Sequence, residues 1–159
     1  NCGVRIPAFI TQLTGISNAM VSRAPPVQEV MPALLDFIGT ATLAAHNASF
    51  DERFLLAESA LLNLQPQHKG VLCSVKLARR VLPGLPSYSL GPLAAKLGIQ
   101  FSGKAHRAEA DAQVASELLF HIEGELKQRY CVHPTPSMLA KITKLSAAKV
   151  PAFLVKLAA

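Results

Sequence analysis

The chain has 159 residues, half of them hydrophobic, 16% of them charged, with a net charge of +6. This composition excludes an intrinsically disordered polymer and fits one domain with a sizeable core. No apolar run reaches the roughly 20 residues of a membrane span, and no charged start followed by an apolar segment marks a secretory signal, so a cytoplasmic protein is expected.

The elements follow in chain order. "RAPPVQEVMPALLDFIG" places Val27, Val30, Leu34, Phe37 and Ile38 at helical spacing, with Gly39 as a stop and Pro32 awkwardly inside. "TATLAAH" reads as a short buried strand. "SFDERFLLAESALLNL" reads as a helix, with Ser49 and Glu52 spaced as a capping box. "GVLCSV" suits a second strand. "KLARRVLP" is a short helix stopped at Pro83, and "SYSLGPLAAKLG" another, with Ser89 as its cap and Gly98 as its stop. The longest helix is "HRAEADAQVASELLFHIEGELKQ". After "HPTPS", the remainder reads as a small basic helical pair broken near Pro151.

Charge divides the chain. Residues 1–124 carry 10 basic and 9 acidic side chains, whereas residues 125–159 carry 6 basic and one acidic. A basic tail attracts nucleic acid or an anionic surface, and it is also how a solvated helix looks. Cys2, Cys73 and Cys131 are scattered without metal-ligand spacing, as unpaired thiols in a reducing compartment would be.

Two carboxylates are out of place. Asp111 heads the stripe Ala115, Leu118, Ile122, which is the inward face of an amphipathic helix. Asp51 borders the apolar face of Phe50, Phe54, Ala57 and Leu61. Either acid alone is explained by the dipole of its helix start. The chain has only three aspartates, however, and two of them share this placement. A shared hard divalent cation, Mg²⁺ or Mn²⁺, accounts for both. His106 lies five residues before Asp111 and does not share its helical face. It is expected on the preceding loop, leaning over the same cleft as a general base. His46, at a strand end, is expected to be structural.

These residues carry a resemblance. "HNASFDERFL" resembles the second motif of the DEDDh 3′→5′ exonucleases, the family that includes the DNA polymerase III epsilon subunit and RNase T-like enzymes. "HRAEADA" resembles their third motif, and "IPAFITQLTGIS" the segment leading into their substrate cleft. The resemblance implies an α/β, ribonuclease H-like exonuclease fold, with a mixed sheet flanked by helices. It implies Asp51 and Asp111 as metal ligands, His106 as catalytic base, and Thr14, Asn47 and Phe50 as substrate-side residues. Two Mg²⁺ or Mn²⁺ ions and single-stranded DNA 3′ ends are the implied cofactors and substrate, with polymerase subunits as further partners. The family's first motif, Asp-x-Glu, is absent, so an exonuclease domain over 1–124 lacking its N-terminal strands is expected, followed by a basic helical extension over 125–159. Such a chain would hold an incomplete metal site and be inactive alone. Two other readings stay open: an RNA-trimming exonuclease of the same fold, and a non-catalytic module that binds nucleic acid or a polymerase.

Overall fold

The structure is a computed structural model that describes residues 3–101 and 107–158. Two short helices, α1 (Ala8–Thr14) and α2 (Asn18–Ser22), precede α3 (Val27–Ile38). Strand β1 (Leu43–Ala45) leads into α4 (Ser49–Leu61), and β2 (Val71–Cys73) runs directly into α5 (Ser74–Val81). Then come α6 (Leu90–Leu97), the long α7 (Ala108–Tyr130), α8 (Pro136–Lys144), a 3₁₀ turn (Ala147–Lys149) and α9 (Val150–Ala158).

The two strands pair in parallel, Leu43 against Val71, Ala44 against Leu72 and Ala45 against Cys73. Helix α4 is the crossover between them, as a parallel pair requires. Among the described residues this pair is the whole sheet. The architecture is therefore α/β and rich in helix. No described helix is long and apolar enough to cross a membrane.

The core gathers around α7. Helix α7 buries Val114, Ala115, Leu118, Ile122 and Leu126, the stripe that its sequence spacing predicts. Leu77 and Ala78 of α5, Leu93 of α6, Leu139 and Ile142 of α8, and Val150 and Leu154 complete it. The 124/125 boundary drawn from charge falls inside α7, and apolar side chains after it belong to the same hydrophobic cluster. Arg80 fastens the segment after α8 to α5: its Nε donates to the Leu145 carbonyl at 2.8 Å.

Helices α3 and α4 contribute little to it, and several local expectations change there. Helix α3 forms with Pro32 inside it, but its apolar face buries only Met31. Val30, Leu34 and Phe37 are exposed, Phe37 to 89%. A pair of three-residue strands is too small to cover this helix face. For the same reason Phe54 does not anchor α4 in the core. It stands 58% exposed with its ring 4.9 Å from that of Phe50. Nor does Ser49 cap α4. Asn47 takes a left-handed conformation (φ 69°) and Ala48 occupies the cap position, so Ser49 is already the first helical residue. Helix α4 starts without a side-chain cap bond. Ser89 stands at the cap position of α6 but likewise makes no cap bond, while Gly98 ends that helix in the left-handed region as expected. The basic helical pair breaks at Leu145–Ser146 and not at Pro151, which lies in the first turn of α9, where a missing N–H costs nothing.

Candidate active site

Asp51 and Asp111 open onto one cavity. It has a volume of about 680 Å³, its floor is formed by β1 and by Val71 of β2, and its walls come from α4 and α7. The local folding explains the convergence. The left-handed Asn47 turns the chain sharply out of β1, so the first turn of α4 begins above the strand end. Asp51 and Glu52 occupy that first turn, and Asp111 occupies the first turn of α7. Both helix starts carry the positive end of a helix dipole, which favours these anions.

Glu52 is the residue that the spacing misassigns. Read as half of a capping box, it instead lines the cavity beside Asp51. Its signal was its place immediately after Asp51 in a first turn that bends over the strand. Three carboxylates, Asp51, Glu52 and Asp111, thus line one space. Oxygen donors of this type suit a hard divalent cation. Among the described residues no group of three or more His, Cys, Asp or Glu side chains is close enough to form a complete ligand set.

The remaining sequence candidates are distributed around the cavity. His106 lies outside the described residues. The Thr14 hydroxyl donates to the Ile10 carbonyl at 2.8 Å and accepts from the Ile16 amide at 3.1 Å, so it closes the end of α1 and is not part of the cavity lining. Asn47 lines a neighbouring pocket, and Phe50 lines a third, smaller one with Asp51, Phe54 and Met31.

His46 joins the sheet to the segment before α6. Its Nε2 lies 2.9 Å from the Tyr88 carbonyl, which only accepts, so Nε2 carries the proton. Its Nδ1 then accepts from Ser74 Oγ at 2.9 Å. Burial pushes the pKa of His46 below its ordinary 6.5, against weaker upward effects of the Tyr88 hydrogen bond and the Asp111 charge. Protonation need not break the network, because Ser74 Oγ also lies 3.3 Å from the Ala45 carbonyl and can redirect its hydrogen there. The cost of the charged form is its desolvation.

The sign of the pH dependence follows. The unfolded chain binds this proton more readily than the folded one, so the stability contributed by neutral His46 is present above pH 6.5 and is lost as pH falls towards the lower folded pKa. Thermal melts from pH 7.5 down to about 5 should therefore fall more steeply for the wild type than for His46→Asn. Parallel curves would rule out this titration as a contributor.

Comparison with known proteins identifies the family. A family model described as "Exonuclease" matches residues 2–119. The DNA polymerase III subunit epsilon of Aquifex aeolicus is 37% identical over 128 residues, covering 80% of this chain and 63% of that protein. The 3′-5′ exonuclease DinG of Bacillus subtilis is 35% identical over 139 residues, covering 87% of this chain and 15% of that one. A solved structure of exonuclease X in complex with 5′ overhanging duplex DNA superposes with a TM-score of 0.65 at 29% identity, covering 89% of this chain and 76% of the other. The α/β fold, with its parallel strand pair, is thus of the ribonuclease H-like exonuclease type. The chain belongs to the exonuclease family. It spans less than two-thirds of the length of both curated relatives.

Proposed function

We propose that the protein is a metal-dependent 3′→5′ exonuclease that removes nucleoside monophosphates from single-stranded DNA 3′ ends, in proofreading or repair. The observation that supports this most directly is the convergence of Asp51 and Asp111 on one cavity in a chain of the exonuclease family. The relatives' names, a polymerase III subunit and a 3′-5′ exonuclease, support the polarity and the DNA substrate.

In this reading Asp51 and Asp111 hold Mg²⁺ or Mn²⁺, and Glu52 stands beside them as a further acid. A bound divalent cation of this kind lowers the pKa of water and stabilises the departing 3′ oxygen. The role of this chain's own groups is to position and to move a proton. Asp111 is fixed by the first turn of a helix whose next inward residues are fully packed, so its carboxylate is held on a rigid support. His106 accepts the proton of the attacking water. His46 ties β1 to the segment before α6, and so keeps the cavity floor and one wall in register.

The test is product analysis with the full-length gene product and single-stranded DNA labelled at its 5′ end. The expected result is a ladder shortening from the 3′ end with release of mononucleotides, dependent on Mg²⁺ or Mn²⁺ and abolished by a chelator. Internal cuts, 5′→3′ shortening, or digestion of RNA with no digestion of DNA would overturn the reading.

A further inference from the structure

A second cavity of about 590 Å³ adjoins the first, and its chemistry is the opposite. The two share His46 and Leu90 as a common wall. The first is lined by three carboxylates. The second has none in its lining. It presents the Arg79 guanidinium, the hydroxyls of Ser87 and Ser89, and the Asn47 amide.

Each of these groups is available for a ligand. Arg79 and Arg80 are neighbours on α5 with different tasks. Arg80 donates to the Leu145 and Lys76 carbonyls and so holds the fold together. Arg79 is exposed and forms no ion pair among the described residues. Its guanidinium carbon sits 5.6 Å from the centre of the Tyr88 ring, which supports the planar cation by its face and leaves N–H edges for an acceptor. Tyr88 is itself held in place: its hydroxyl donates to the Leu82 carbonyl at 2.8 Å, and its carbonyl accepts from His46. Ser87 Oγ accepts from the Ser89 amide at 3.3 Å, which leaves the Ser87 hydrogen free to be donated outward. The Ser89 hydroxyl makes no cap bond although it stands at the start of the eight-residue helix α6. A fork-shaped cation, two hydroxyl donors and a helix start around one polar space match a phosphate.

We infer that this cavity is a phosphodiester subsite that holds the DNA strand one step back from its reacting end, with Arg79 as the positioning cation. The inference rests on the exonuclease reading above. A strand whose terminal phosphodiester lies at the carboxylates passes the shared wall of His46 and Leu90 and meets Arg79 next. A contact from Arg79 to the following phosphate would fix the position of the strand without reading its sequence.

The experiment is binding of fluorescent single-stranded DNA, followed by anisotropy as a function of salt in Ca²⁺. It compares the wild type with Arg79→Gln, Arg79→Ala and Arg23→Ala, the last removing the same charge from outside both cavities. Circular dichroism melts verify that the variants fold. We expect both Arg79 variants to bind about tenfold more weakly at low salt, with the slope of log K against log salt reduced by about one, and Arg23→Ala to match the wild type. Competition with thymidine 5′-monophosphate separates strand from product. A monophosphate that competes equally well against the wild type and the Arg79 variants supports the strand assignment, and one whose competition is lost with Arg79 overturns it. Wild-type binding with unchanged affinity and slope in both Arg79 variants overturns the subsite alone. A wild-type protein that binds no DNA overturns the exonuclease reading and the subsite with it.

Discussion

Asp111→Asn is expected to lower kcat/KM for 3′→5′ DNA digestion by about a thousandfold or more in the full-length gene product. The exchange keeps the shape of the side chain and removes the charge that would hold a divalent cation. Loss even of groups that only support metal ligands costs ten- to a hundredfold, so loss of a ligand is expected to cost more. Asp51→Asn should behave in the same way. Asp36→Asn, the third aspartate, exposed on α3 and outside the cavity lining, should leave activity unchanged. A second readout does not depend on turnover. Added Mn²⁺ should broaden the NMR signals of cavity residues such as Ala45 and Ala112, and Asp111→Asn should abolish that broadening. Full activity in Asp111→Asn, or broadening that survives it, would remove Asp111 from the metal site.

The second large effect is on stability. Leu118→Ala is expected to cost about 3 kcal/mol of unfolding free energy in urea titration, within the roughly 2–5 kcal/mol span of buried leucine truncations. Leu118 is only 1% exposed and belongs to the hydrophobic cluster that α7 forms with α5 and α6. Phe37→Ala, a larger truncation by volume, should change the unfolding free energy by no more than about 0.5 kcal/mol, because Phe37 is 89% exposed. Equal effects at the two positions would mean that the α3 face is covered in solution.

These contrasts show which physical signals a single sequence carries. Periodicity located α7 and its buried stripe, because a long helix with one packed face repeats its apolar residues many times. The same signal marked Asp111 as an acid heading an apolar row. Both strands were legible despite their three-residue length, since each is bounded by an unmistakable helix. What failed was any inference that needed to know the neighbour. The apolar rows of α3 and α4 are as regular as that of α7, yet periodicity says only which face is apolar, not what covers it. Phe50, Phe54, Leu34 and Phe37 are exposed for want of a partner surface among the described residues. The capping box failed for a different reason. Ser49 and Glu52 have the right spacing, but the left-handed Asn47 shifts the helix start by one residue, and a backbone dihedral of that kind is not written in the spacing. Glu52 was released to the cavity by that same shift. The second cavity, with Arg79, Tyr88 and Ser89 drawn from separate elements, has no local signature at all.

The placement of the core also dictates how the molecule opens. The largest fully buried side chains all lie between Ser59 and Leu154, and none belongs to α1, α2 or α3. Amides of α7 near Ile122 are therefore released to hydrogen exchange only when the whole cooperative unit unfolds, while those of α1 to α3 exchange through local opening at far lower free energy. The cavity between α4 and α7 spans that difference. Asp111 is carried by the helix expected to exchange most slowly, and Asp51 by one that packs against α3, where exchange is expected to be fast.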